Sequence, residues 1–119
     1  MLNRWGGILT DWAIRTFGIE KIKNRYQLGM QVVEEAVELL QALGVDEEKA
    51  HLLVHTVYGR MPGNPQHEAG NLLLAVMLFC ESSGWNADSL LEIEVRRVLA
   101  MNVDKIRDRE AEKKAAGLR

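Results

Sequence analysis

The apolar residues of this 119-residue chain recur at helical spacing almost throughout, and no stretch alternates as a half-buried strand would. Hydrophobic side chains lie three and four positions apart, and glycine or capping residues interrupt the pattern at intervals. On this basis we predict five helices, at residues 2–17, 26–43, 47–58, 66–82 and from 87 to about 107. Five helices without strands indicate an all-α protein, a helical bundle with short connections.

Turn and capping residues locate the connections between these helices. Gly44 ends the second helix, and Asp46 suits the N-cap of the third. The segment GRMPGNPQ, residues 59–66, holds both prolines and is the clearest loop. We predict a charged connector at 19–25 and a charged tail at about 108–119 that is solvated or frayed.

Length and composition narrow the class of protein. The chain fits a single domain over residues 1–119, and its hydrophobic fraction of 47% allows a buried core. A net charge of −2 gives no support to binding of a nucleic-acid polymer. The lone cysteine, Cys80, cannot form an internal disulfide, and the longest apolar run, 72–80, is too short to cross a membrane. We therefore expect a cytoplasmic protein without a signal peptide or a membrane partner.

Three glutamates interrupt the apolar segment VVEEAVELLQALG, residues 32–44. Glu35 and Glu38 are three residues apart and share a helix face, and Glu34 lies one turn from Glu38. Like charges so placed repel each other, and burial raises the cost further. A bound divalent cation would remove both penalties. The alternative is that Glu34 is solvated and Glu38 pairs with a lysine.

A second oxygen-bearing pair opens the fourth predicted helix. In QHEAGNLLLAV, residues 66–76, Glu68 and Asn71 have the same three-residue spacing and precede an apolar run. Two facing helices that each contribute such a pair are a common way to build a metal site in a helical bundle. The combined pattern is more specific than either pair alone, and it predicts a divalent-metal site.

Three segments together resemble the MazG-like nucleoside triphosphate pyrophosphohydrolases, which belong to the all-α NTP pyrophosphatase group. The resemblance covers nearly the whole chain and is closest to the short, single-domain members from phages and mobile elements. That family has a Glu-Glu-x-x-Glu helix followed by Glu-x-x-Asp. The first half matches fully at Glu34, Glu35 and Glu38, whereas Asn71 stands where the pattern has Asp. The segments are EEAVEL at 34–39, HEAGNLLLAVMLFC at 67–80 and NVDKIRDREAEKK at 102–114.

The resemblance implies an enzyme that hydrolyses (deoxy)nucleoside triphosphates to the monophosphate and pyrophosphate, in nucleotide-pool house-cleaning. Mg²⁺ is the implied cofactor, and Mn²⁺ is its alternative. Glu35, Glu38 and Glu68 are the implied metal ligands, and the neutral amide of Asn71 is a weaker one. Glu34 is either a further ligand or the base that orients the attacking water.

Candidate substrate-binding residues lie near both ends of the chain. Asn102, Lys105 and Arg109 form one stripe of the last predicted helix. The resemblance implies that this helix supplies cations to the phosphates, with Lys105 ahead of Arg107 and Arg109. A solvated basic face near a helix C-terminus is the alternative. Trp12 is the candidate for stacking on the base, although an aromatic at helical spacing also suits a core.

Related proteins assemble, so we expect a homodimer or homotetramer in which a neighbouring subunit completes the nucleotide pocket. Two other functions stay open. One is a catalytically weak nucleotide-binding sensor, which Asn71 favours, and the other is a helical protein-interaction module.

Overall fold

The structure is a computed structural model that describes residues 3–119. This part of the chain is 81% helical, with seven helices and no strand, which confirms the predicted all-α class. The predicted first helical residue, Leu2, lies outside the described part. The helices are α1 Asn3–Phe17, α2 Ile19–Lys23, α3 Arg25–Ala42, α4 Glu47–Tyr58, α5 Pro65–Ser82, α6 Ala87–Ala100 and α7 Val103–Ala115.

The number of helices differs from the predicted five at two places. The expected connector at 19–25 contains the short helix α2, which follows Gly18 at a φ of 91°. The expected single last helix is divided, because Asn102 caps α7 with its own side chain. Most residues of the expected tail at 108–119 are exposed, but the tail is not frayed, since α7 continues to Ala115, and the side chain of Arg119 is only 1% exposed.

The described residues divide into two compact units. The first combines the chain up to Glu34 with Asp88–Arg119, and in it α1 packs against α2 and α7. Trp5, Ala13 and Thr16 recur at helical spacing on one face of α1, and all three are buried.

The second unit, Glu35–Ala87, contains the end of α3 and all of α4 and α5. Local signals define its helix starts. The Asp46 side chain accepts a 2.8 Å hydrogen bond from the Lys49 N–H, and Asn64 caps α5 ahead of Pro65 at its first position. These caps explain why the predicted boundaries of α4 and α5 agree with the observed ones to within one residue.

Large apolar side chains of α4 and α5 are exposed in the single chain, and we call them the α4–α5 apolar surface. Along α5 they follow one another without a polar break from Leu72 to Leu78, so they cover every face of the helix. None of the described helices is both long enough and apolar enough to cross a membrane. The surface consists of Leu52, Leu53, Val54, Val57, Leu72, Leu73, Leu74, Val76, Met77 and Leu78.

Candidate functional site

The predicted metal ligands are all exposed and lie in the second unit. Glu35 and Glu38 are on α3, one turn apart, and Glu68 and Asn71 are in the first two turns of α5. None of these four side chains has an ion pair or a side-chain hydrogen bond to any described residue. Their oxygen atoms are therefore available to a ligand.

The two pairs do not meet within one chain. No Cα atom of residues 35–42 in α3 lies within 8 Å of a Cα atom of α5. Across residues 3–119, no three His, Cys, Asp or Glu side chains are close enough to hold a metal ion. The combined site of Glu35, Glu38, Glu68 and Asn71 therefore stays a prediction.

Glu68 and Asn71 line different hollows of the second unit. Glu68 lies at a hollow of about 340 Å³ formed with the end of α4 and the α4–α5 loop, including Tyr58 and Gly63. Asn71 lies at a shallower one with His67 and other residues of the first turns of α5. The shared helical spacing was predicted correctly, but it does not place both side chains in one hollow.

Glu34 differs from its neighbour Glu35, because two cations contact its carboxylate. Lys113 Nζ lies 2.9 Å from Glu34 Oε1, and Arg119 Nη1 lies 2.7 Å from Oε2. Hydrogen bonds from Lys113 and then Arg119 lower the pKa of Glu34. In the single chain this carboxylate is already neutralised, and neither predicted role, ligand or base, is free to operate until these contacts are exchanged.

The ion pairs extend through the first unit to a second carboxylate. Arg119 Nε lies 3.1 Å from Glu110 Oε1, and Lys21 Nζ lies 2.6 Å from the same oxygen. Burial opposes ionisation of Glu110, but hydrogen bonding from Lys21 and the charges of Lys21 and Arg119 outweigh it and lower the pKa of this group. Lys21, Glu110 and Arg119, together with Glu34 and Lys113, are the five residues that we call the ion-pair network.

Sequence reasoning missed the role of Arg119 because it treated the last residues as solvated. Gly117 at a φ of 80° reverses the chain after α7, and the Leu118 N–H donates to the Lys113 carbonyl at 2.9 Å. This is the pattern of a Schellman-type helix end. A glycine after a lysine-rich helix end was the available signal for this chain reversal. The contact between Arg119 and Glu34 is not visible in the local sequence.

Two predicted substrate-binding residues, Trp12 and Arg109, line one cavity of about 430 Å³ in the first unit. Its wall combines apolar residues with further cations, which include Arg97 and Lys113, and we call it the basic cavity. Trp12 is half-buried and meets Phe17 edge to face at 5.7 Å. Arg109 has no ion-pair partner among residues 3–119. An apolar pocket with a few cations suits a ligand with a flat apolar body and an anionic group.

The other predicted members of the basic stripe have different surroundings. Asn102 accepts a hydrogen bond from the Lys105 N–H at 3.1 Å, so its side chain caps α7. The Lys105 side chain is exposed and does not line the basic cavity. Arg107 Nε donates to the Thr16 carbonyl at 2.7 Å and thereby binds the C-terminal end of α1.

Comparison with protein-family models, with curated proteins and with solved structures finds no match to this chain. The resemblance described above is therefore carried by the motifs alone.

Proposed function

We propose that this protein is a Mg²⁺-dependent nucleoside triphosphate pyrophosphohydrolase, which cleaves between the α- and β-phosphates to give the monophosphate and pyrophosphate. One observation carries the proposal. Glu35, Glu38 and Glu68 are exposed carboxylates without a cationic partner among residues 3–119, in the order and spacing of the MazG-like motif. Carboxylates left unpaired at helical spacing repel one another, and a divalent cation relieves that repulsion.

The donor atoms of these residues suit a hard cation. Carboxylate oxygens and the Asn71 amide oxygen are the ligand types that Mg²⁺ and Mn²⁺ accept. When bound, the metal supplies charge neutralisation at the phosphates and a lowered pKa for water. Glu35, Glu38 and Glu68 would hold it, with Asn71 as the weaker, uncharged donor. Glu34 takes part only after exchange of its contacts with Lys113 and Arg119.

The basic cavity supports a role in nucleotide binding. Trp12 offers an aromatic face for the base, and Arg109 offers an unpaired guanidinium for a phosphate. Lys105, exposed on α7, is a second cation for the phosphates. The side chain of Asn102 is engaged in capping α7, so we place it outside direct contact with substrate.

Assembly with a second copy is part of the proposal. A helical segment that is apolar on every face belongs in a buried position, and residues 72–78 of α5 form such a segment without cover in the single chain. The acidic pairs of α3 and α5 are likewise separate within one chain. A homo-oligomer that covers α5 can also bring two oxygen-bearing pairs together, one from each copy.

The test is pyrophosphate release from a panel of NTPs and dNTPs, with and without Mg²⁺. We expect release by the wild type only with the metal, and a loss of at least about 100-fold in Glu38→Gln, because a ligand charge is removed. Glu48→Gln is the matched control, since Glu48 is an exposed glutamate of α4 outside the motif. Full activity in Glu38→Gln would exclude the assigned mechanism.

Asn71 favours a second candidate, a nucleotide-binding sensor with little turnover. Its neutral amide replaces the carboxylate of the motif and weakens the charge stabilisation available to a transition state. A sensor would be stabilised by about 2.7 kcal/mol at a nucleotide concentration of one hundred times Kd, without pyrophosphate release. The absence of both stabilisation and release would instead favour a helical interaction module.

A further inference from the structure

Glu68 extends over a glycine of the α4–α5 loop. A methyl group on Gly63 would lie 2.6 Å from Glu68 Oε1, 3.2 Å from its Cδ and 3.3 Å from its Cγ. At every other glycine, a methyl group would meet no heavy atom of the described residues closer than 3.4 Å. Gly63 is thus the single glycine whose missing side chain leaves space that another residue occupies.

The start of α5 fixes the direction of this contact. Asn64 caps the helix through the Gln66 and His67 N–H groups, and the Glu68 N–H donates to the Asn64 carbonyl at 2.9 Å. Side chains of a helix point back towards its N-terminus, so the Glu68 side chain is directed at the loop that ends in Gly63. The contact follows from a well-capped helix rather than from a flexible segment.

We propose that Gly63 is a positioning residue for the Glu68 carboxylate. Its consequence for metal binding rests on the proposed function, in which Glu68 is a metal ligand. The backbone of Gly63 is not left-handed, so alanine can adopt it. The conflict created by a methyl group involves the end of a flexible side chain, which moves away at little cost to the fold. Gly63→Ala therefore displaces the carboxylate and leaves α5 intact.

The contact itself is tested without metal by ¹H–¹⁵N and carboxyl ¹³C NMR of the 119-residue chain. We expect Gly63→Ala to shift the Glu68 Cδ resonance, and Glu68→Gln to shift the Gly63 amide. Gly59→Ala is the matched control in the same loop, because its methyl would lie at ordinary distances, 3.4 and 3.7 Å, from two backbone oxygens. Unchanged Glu68 and Gly63 resonances in these variants would overturn the inference.

The consequence is tested by calorimetric titration with Mn²⁺ alone. We expect Gly63→Ala to weaken Mn²⁺ binding by about tenfold, the size of effect seen when a group that orients a ligand is altered. Gly59→Ala should bind as the wild type does. In a Glu68→Gln background Gly63→Ala should have no further effect, because its influence passes through that carboxylate.

The outcomes separate this inference from the proposed function. If wild type binds Mn²⁺ and Gly63→Ala matches Gly59→Ala, the positioning role is wrong and the proposed function stands. If the wild type binds no Mn²⁺, the proposed function is wrong, and the Glu68 and Gly63 resonances alone decide the positioning role. A weakening that persists in the Glu68→Gln background would also overturn the positioning role, because it would show that Gly63 acts through another group.

Discussion

Adjacent glutamates of α3 have opposite electrostatic surroundings. Glu34 contacts Lys113 and Arg119, whereas Glu35 is exposed without a cationic partner in the described chain. The sequence predicted Glu35 and Glu38 as metal ligands and Glu34 as a further ligand or the base, and it indicated no cation beside Glu34, because the helical spacing of 34, 35 and 38 is a local property. The pairing of Glu34 with Arg119 joins residues 85 positions apart, and no local pattern contains it.

This difference predicts a pH-dependent effect of Glu34→Gln on the free energy of unfolding. The lowered pKa of Glu34 means that the unfolded chain takes up its proton first as pH falls, starting near the ordinary value of 4.5. The stabilisation is therefore complete above that pH and is lost below it. We expect Glu34→Gln to cost about 1–2 kcal/mol at pH 7 and nothing near pH 2, by urea unfolding at each pH.

Glu35→Gln is the control for that measurement, since it removes the same charge one residue away without breaking an ion pair. Its free energy of unfolding at pH 7 should equal or slightly exceed that of the wild type, because the substitution relieves repulsion with Glu38 and breaks no ion pair. A Glu34→Gln deficit that stays constant across the whole pH range would contradict the role of the ion-pair network.

At the scale of the helices, prediction succeeded where the signal was local and strong. The starts of α4 and α5 are defined by caps at Asp46 and Asn64. The helix α2 was missed because five residues are too few to establish a hydrophobic period. The break between α6 and α7 was missed although asparagine is a favoured N-cap residue, because apolar residues continue on both sides of Asn102, from Val98 to Ile106.

The cap of α7 predicts opposite effects for two substitutions at one position. Asn102→Ala removes the acceptor for the Lys105 N–H and should cost about 1 kcal/mol in thermal or urea unfolding. Asn102→Asp keeps an oxygen at that place and should retain wild-type stability, because aspartate caps helices equally well. Equal destabilisation by both substitutions would mean that Asn102 serves through its amide nitrogen instead.

For the whole molecule, the helical period predicted the all-α class correctly, and the motif spacing placed each acidic pair on its own helix. The structure does not bring the two pairs together within one chain. Helical spacing could not decide this point, because it depends on contacts between segments distant in sequence. Those contacts are absent between α3 and α5 within the described second unit. What the sequence does contain is the all-round apolar character of α5, which requires cover that a single chain does not provide.

The α4–α5 apolar surface therefore predicts a stable homo-oligomer of the wild type, measured by sedimentation equilibrium at micromolar concentration. Leu78 on α5 is 63% exposed, so Leu78→Lys alters little inside one chain but places an ammonium group where apolar cover is expected. We expect at least about 100-fold weaker association, which corresponds to about 2.7 kcal/mol. Ile19→Lys is the control, because Ile19 on α2 is 50% exposed and lies outside this surface.

A helical, monomeric wild type would contradict both the interface and the second-copy step of the proposed function. Unchanged association of Leu78→Lys would instead place the interface on another face.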